Sequence, residues 1–238
     1  MIRLAYDFHI HSCLSPCGDN DMTPANIAGM AFINGLGAIA LTDHNTVKNC
    51  SALKTAAKQY GLITLFGMEL TTAEEVHTLC LFAEENAANE WNEYVEKHLI
   101  KIKNEPDIFG EQLIMDHKDN IIGAEENLLI NATSISFDDV FAPVESLGGI
   151  ALPAHIDKSA NSLLSNLGFV PPDATFKTAE LKNINKADSI IAAHPYFKSC
   201  KLISSSDAHY LPDINMSQNF IEVEELTAHS IINALKRA

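Results

Sequence analysis

The chain has 238 residues, 47% of them hydrophobic, and its 31 acidic against 16 basic side chains give a formal net charge of −15. That length suits one domain, while the acidic balance disfavours a long polyphosphate partner, whose non-specific affinity rests on Lys and Arg. Five scattered cysteines (Cys13, Cys17, Cys50, Cys80, Cys200) argue against a disulfide framework, and no apolar run approaches the roughly eighteen residues of a membrane helix.

The opening "MIRLAYDFHI" carries no signal-peptide pattern, so a cytoplasmic location is expected. Residues 4–10 read as a first strand. A helix follows over 23–35, with Thr23 as N-cap, Pro24 at the first helical position and Gly35 at the stop. The short apolar run 38–44 predicts a buried strand, 46–61 a helix closed by Gly61, and 62–70 and 76–83 two more strands. Trp91, Val95, Leu99 and Ile102 share helical spacing over 89–103. Residues 112–130 suggest a hairpin around "HKDN", and 136–149 a helix ending at a glycine pair. Strands at 150–156, 179–183 and 201–209 and a helix over 227–238 complete the pattern. Alternation of strands with helices means an α/β fold with a largely parallel sheet, here a single domain over 1–238 with an irregular insert at about 84–138.

Nearly every strand ends in His, Asp or Glu: "DFHIH", "LTDH", "GMEL", "PAH", "SSDAH". In a (β/α) barrel those ends converge on one mouth, where catalytic residues gather. Strand alternation puts Asp7, His9 and His11 on one side, so two imidazoles could reach one ion while the carboxylate orients them. One such pair is weak evidence; the set is stronger. His9, His11, His44, His77, His155 and His209 all lie at or beside strand ends, with Asp19, Glu69 and Asp207. Nine such ligands exceed the needs of one ion, and two or three divalent ions joined by a carboxylate would use them to clamp and hydrolyse a phosphate ester.

In chain order, "DFHIHS", "TDHNT", "GMEL", "VHTL", "PAH" and "SDAH" resemble the motifs of the PHP (polymerase and histidinol phosphatase) superfamily. The resemblance spans residues 7 to 209 and implies a distorted (β/α)7 TIM-like barrel, the PHP fold, with a trinuclear metal site. It implies His9, His11, Glu69 and Asp207 on the first metal, Glu69 bridging to a second completed by His77 and His155, and Asp19, His44 and His209 on a third. Asp21 competes with Asp19, and the inserted Pro16 and Cys17 lengthen that loop. The implied activity is phosphoester hydrolysis of a small phosphomonoester or nucleotide, with a metal-activated hydroxide attacking phosphorus in line.

Other residues carry two readings. Glu69, bridging two ions, and His194 in "IIAAHPYF" are the catalytic candidates, His194 as leaving-group acid or phosphate contact, or else as a packed ring beside Pro195. Lys158, three residues after His155, is the candidate phosphate-binding cation, ahead of Lys48 and Lys198. Asp7 and Asp43 would orient ligands or cap helices. Cys13 and Cys17 have metal-finger spacing but no second pair, so they read as loop thiols. Metal identity (Zn, Mn or Fe) and oligomeric state stay open. The expected partner is a small phosphorylated substrate, with no long nucleic acid and no membrane. The rival functions are a non-catalytic metal-binding scaffold and a C–N hydrolase, the latter disfavoured because no lysine sits at a strand end before Asp207.

Overall fold

The structure is a computed structural model that describes residues 1–214 and 216–237. Strand β1 (Ile2–Ile10) is buried on both faces from Leu4 onward, as a strand inside an α/β fold must be. Helix α1 (Pro24–Ile33) starts where the sequence predicts: Thr23 Oγ1 accepts from Asn26 N at 3.3 Å, and Pro24 takes a position that needs no N–H. Strand β2 (Ala38–Leu41) follows, then α2 (Cys50–Ala57), extended by a 3-10 turn that stops at Gly61.

Strands β3 (Ile63–Thr71) and β4 (His77–Phe82) are joined by residues 72–76 alone and pair antiparallel. Helix α3 (Glu85–His98) begins and ends about four residues earlier than its apolar spacing suggests. Leu99 leaves the helix in an extended conformation, and Ile102 is half exposed. A short α4 (Pro106–Phe109) precedes a hairpin of β5 (Leu113–Met115) and β6 (Ile121–Ala124). Then come α5 (Asp138–Ser146), β7 (Ile150–Pro153), α6 (Leu163–Asn166), β8 (Thr178–Glu180), α7 (Ala187–Ala193), β9 (Lys201–Ile203), β10 (Phe220–Val223) and α8 (Ala228–Lys236). Of the expected last helix, Ala238 lies outside the described residues.

The main sheet runs β10–β1–β2–β3–β4–β7. β1, β2 and β3 pair in parallel and β7 runs the same way, while β10 and β4 run against them and pair antiparallel, so the sheet is mixed rather than largely parallel. The reason lies in the connections: five residues cannot form the crossover that parallel pairing requires. The parallel pair β8–β9 continues the curl, tied to the end of β7 by Ile156 N donating to Glu180 O at 2.8 Å. A parallel bridge between Ile10 and Ala208 returns the chain to β1. The result is an α/β fold with a curled, incomplete sheet, a distorted TIM-like barrel.

Leu4, Tyr6 and Phe8 pack into an interior cluster with Ala38, Leu65, Leu79 and Leu152, closed from below by Ile231 and Leu235 of α8. Helices α1, α2, α3 and α5 cover the outer face through Ile27, Leu53, Trp91 and Val140. The β1–β2 register shifts between Asp7 and Ile10. Before the shift the even residues of β1 face the interior; beyond it His9 and His11 do. Three non-glycine residues at strand ends adopt left-handed backbone: Asn45 (φ +53), His155 (φ +29) and Asp207 (φ +53).

Candidate metal centre

Glu69, near the end of β3, sits inside a closed ring of five imidazoles. Ring centroids step from His9 to His11 (5.2 Å), His44 (4.7 Å), His77 (5.2 Å), His155 (5.4 Å) and back to His9 (5.6 Å). Glu69 Oε1 lies 2.9 Å from His77 Nδ1, 2.9 Å from His155 Nε2 and 3.3 Å from His9 Nε2. Its Oε2 lies 3.3 Å from His11 Nε2 and 3.2 Å from His44 Nδ1. His209 stacks on His11 at 4.4 Å. Asp207 Oδ1 approaches His9 and His11 Nε2 at 3.5 and 3.6 Å.

These spacings fit ligands around cations. An ion with bonds of about 2.0–2.1 Å in tetrahedral geometry holds its ligands about 3.3–3.4 Å apart, and the His9, His11, Glu69 and Asp207 atoms lie 3.2–3.6 Å from one another where they meet. His44 Nδ1 is buried and, despite its nearness to Glu69, lacks the alignment of a hydrogen bond, so it has no partner. A buried imidazole nitrogen in that state is what a cation would satisfy. Among the described residues, three groups offer ligand atoms all within 4.8 Å of one another: His9, His11 and Glu69; His44, Glu69 and His77; and His11, Cys17, His44 and His209.

The electrostatics follow from this packing. Burial raises the cost of charge on Glu69, but His77, His9 and His44 outweigh it and hold the carboxyl well below its usual range. His9 is pushed down by burial and more strongly up by Glu180, Glu69 and Asp207, so its value lies well above the ordinary imidazole. His44 is held well below it by burial and by His11, His77 and His209, against the pull of Glu69. Burial and His11 push His209 down to about 4.

The loop after β1 is fastened by Asp43. Its Oδ1 accepts from Ser12 N and Ser15 Oγ, and its Oδ2 from Ser12 Oγ, each at 2.7 Å. Ser15 Oγ in turn lies 3.1 Å from His11 Nδ1, so Asp43 fixes a ring through a hydroxyl. Asp7 takes a different place from the one strand alternation suggests. Its Oδ1 accepts from Ser206 N at 3.0 Å and His9 N at 3.4 Å, while Glu180 Oε2 contacts His9 Nδ1 at 2.8 Å and accepts from His155 N at 3.1 Å. The register shift in β1 is the cause: it separates the face of Asp7 from that of the histidines. Glu180 escaped the sequence reading, although it too ends a short strand.

Asp19 belongs to none of the three groups. Its Oδ1 accepts from Asp21 N at 2.8 Å, its own N donates to His209 O at 2.9 Å, and Asp21 is exposed. Cys17 takes its place beside His44 and His209; burial and the charges of Glu69 and Asp43 push its thiol up to about 12. The other loop thiol, Cys13, is buried and contacts Leu113 O. His194 stands at the end of α7 with its ring edge-on to Phe197 at 6.3 Å, a packed position beside the cluster of Phe176 and Phe197.

Lys158 Nζ reaches Asp207 Oδ2 at 2.5 Å, and Lys182 Nζ lies 3.6 Å from the same oxygen while donating to Ser206 O. Lys182, Asn183, Ser204, Ser205, Ser206 and Asp207 line a cleft of ≈ 510 Å³ beside the mouth. Lys48 is engaged elsewhere, with Glu125 and Glu96.

A family model described as PHP domain matches residues 7–159, more than half of the chain. The chain belongs to the PHP domain family. It carries the metal-dependent hydrolase fold of the PHP superfamily, and its clustered His and Glu side chains are ligand sets typical of catalytic PHP hydrolases, giving a metal-binding site capable of hydrolytic chemistry. A 5′-3′ exoribonuclease of Haemophilus influenzae is 33% identical over 67 residues, which cover 28% of this chain and 23% of that one. The lesion-specific endonuclease PfuEndoQ of Pyrococcus furiosus superposes with a TM-score of 0.69 at 19% identity, over 99% of this chain and 56% of its own. A complex of Endonuclease Q with a 27-mer duplex substrate, an abasic lesion at its active site, gives 0.67 at 18% identity, over 99% and 57%. The chain thus spans little more than half the length of these structures and less of the exoribonuclease.

The last comparison corrects one expectation. A PHP-type barrel does receive long nucleic acid, so the exclusion drawn from the net charge does not stand. Net charge averages over the whole surface, whereas a phosphate meets the local field, and Lys158 and Lys182 both stand at Asp207 on this mouth. No helix among the described residues is long and apolar enough to cross a membrane.

Proposed function

We propose that this PHP protein is a metal-dependent phosphoesterase that hydrolyses a phosphoester of a nucleotide or of a nucleic-acid chain. The observation that carries this reading is the juxtaposition of the Glu69-centred ring with a polar cleft lined by Lys182 and Asp207, where Asp207 is met by the ammonium groups of both Lys158 and Lys182. Both ammonium groups stand where a phosphate that displaces the Asp207 contact would meet them, with Asp213 as a second carboxylate in the cleft lining. Bound divalent ions would supply Lewis-acid charge to the phosphoryl oxygens and lower the pKa of a water nucleophile.

The chain's own residues do the rest. His9, His11, Glu69 and Asp207 would hold one ion, and Glu69, His77 and His155 a second, with Glu69 spanning both. Glu180 holds the Nδ1 face of His9, and Ser15 that of His11, so both present Nε2 to the mouth. The cleft lining from Ser204 to Ser206 is polar, with the Ser205 and Ser206 hydroxyls tied to Phe8 N and His9 O of β1. The activities of the exoribonuclease and the endonuclease that the chain resembles support a nucleic-acid or nucleotide substrate over an unrelated phosphomonoester.

The test is a phosphate-release and cleavage panel with metal-loaded protein: p-nitrophenyl phosphate, a nucleoside 3′,5′-bisphosphate, 5′-phosphorylated RNA, and duplex DNA with and without an abasic site. Turnover of one of the nucleotide or nucleic-acid substrates, abolished by chelator and by Glu69→Gln, is expected. Fully metal-loaded protein that cleaves none of them overturns the reading.

A further inference from the structure

The third group of ligand atoms contains a thiol where the family resemblance calls for Asp19. Cys17 Sγ and one ring nitrogen each of His11, His44 and His209 all lie within 4.8 Å of one another. An ion with a sulfur bond of about 2.3 Å and nitrogen bonds of about 2.0–2.1 Å needs ligand separations of about 3.3–3.7 Å, so modest side-chain adjustment closes the group. His11 also stands in the His9–Glu69 group and His44 in the Glu69–His77 group, which leaves Cys17 and His209 as the two members found only at this corner.

Two independent observations point the same way. The buried Nδ1 of His44, a residue 3% exposed, has no hydrogen-bond partner. The loop, moreover, is shaped to bring residue 17 inward. Gly18 N donates to Ser15 O at 2.9 Å, and Ser15 is clamped to Asp43. A Cβ on residue 18 would come within 2.2 Å of Ser12 O, so the chain can fold this tightly only with glycine there. Two residues on, the Asp19 carboxylate is turned to Asp21 N and closes the turn instead of facing the imidazoles.

Resting on the metal-centre reading above, we infer that Cys17, not Asp19, is the anionic ligand of the third ion, beside His44 and His209, and that this position takes a thiophilic cation such as Zn²⁺. Ligation converts the thiol to a thiolate and releases its proton to solvent. The sites built around Glu69 have only nitrogen and oxygen ligands and accept harder ions such as Mn²⁺ as well. One mouth thus carries two kinds of metal position.

Cobalt(II) tests this without an activity assay, because thiolate ligation gives a charge-transfer absorption in the near ultraviolet. Metal-free wild type, Cys17→Ser, Cys17→Asp and Asp19→Asn are titrated with Co²⁺, and bound metal is counted by elemental analysis. Wild type and Asp19→Asn should show the band and the same stoichiometry. Cys17→Ser should lose the band and bind the third ion at least about 10-fold more weakly, as loss of an anionic ligand predicts. Cys17→Asp should lose the band yet restore the stoichiometry. A band that persists in Cys17→Ser, or a third ion lost in Asp19→Asn but kept in Cys17→Ser, overturns the inference. Cobalt bound by wild type with no thiolate band overturns it alone; wild type that binds no cobalt at all overturns the metal-centre reading with it.

Discussion

Glu180 Oε2 lies 2.8 Å from His9 Nδ1, so a carboxylate on the three-residue strand β8 sets the ring orientation of a histidine on β1, 171 residues earlier in the chain. Both are buried. The same oxygen accepts from His155 N, so one carboxylate braces two neighbours of Glu69. Carboxylates placed behind metal-binding imidazoles raise their basicity and fix their tautomer. Glu180→Ala is therefore expected to weaken binding of the tightest ion about 10- to 100-fold with the fold retained. Competition against a chromophoric chelator measures this; an unchanged affinity would show that the His9 ring is held by packing alone.

Binding of metal should expel protons. In the metal-free protein His9 is buried, yet Glu180, Glu69 and Asp207 hold its pKa well above the ordinary value, which favours the protonated ring. An ion at Nε2 must displace that charge. Affinity should then rise with pH up to the metal-free pKa of His9. The calorimetric enthalpy should differ between Tris and phosphate by at least the difference between the two buffers' ionisation enthalpies, one proton's worth. Equal enthalpies in the two buffers would contradict a protonated His9.

Lys48 donates to Glu125 at 2.5 Å and pairs with Glu96 at 2.8 Å, joining β6 to α3 beside the mouth. Burial would raise the pKa of Glu125, but Lys48 more than offsets it and holds the carboxyl below its usual value. A depressed carboxyl stabilises the fold above the unfolded value, near pH 4.5, and that contribution disappears as pH falls through the folded value. The pair is half exposed, and solvent screening keeps its worth to about 0.5–1 kcal/mol. Lys48→Met should cost about that much at pH 7 in urea melts, and almost nothing near pH 3.

Gly67 is enclosed on three sides. An added Cβ would meet Leu41 O, Leu81 Cδ2 and Thr42 Cγ2, each at 2.9 Å. It lies in β3 two residues before Glu69, between β2 and β4. Gly67→Ala is expected to destabilise by about 1–3 kcal/mol through overpacking, seen as a lower Tm. A parallel loss of metal affinity would show the strain reaching Glu69; a neutral change would mean that β2 and β4 can part without cost.

Most histidines of the mouth were legible because they lie at or just beyond the end of a strand, and strand ends are what a barrel gathers; His77 instead opens β4, whose antiparallel run brings its start to the mouth. The caps of α1 and the stop at Gly61 were legible because they follow from local chemistry. What stayed hidden depends on long-range geometry. Glu180 sits on a strand too short to show alternation, and only the curl of the sheet brings it to His9. Cys17 had no cysteine partner in sequence, and its partners are imidazoles from other strand ends. The register shift in β1 reversed the expected face of Asp7, a change that residue types alone do not encode. The antiparallel entry of β4 did carry a signal, the short connection at 72–76, which outweighs the α/β pattern.

His155 and Asp207 hold left-handed backbone without being glycine, at a cost of about 1–3 kcal/mol each. Glycine at either position would relax the chain while erasing a side chain of the mouth. A selection for folded, soluble protein alone, with no demand for turnover, should therefore enrich glycine at 155 and 207 and silence the enzyme as it becomes more robust. In this barrel, durability and chemistry compete for the same backbone torsions.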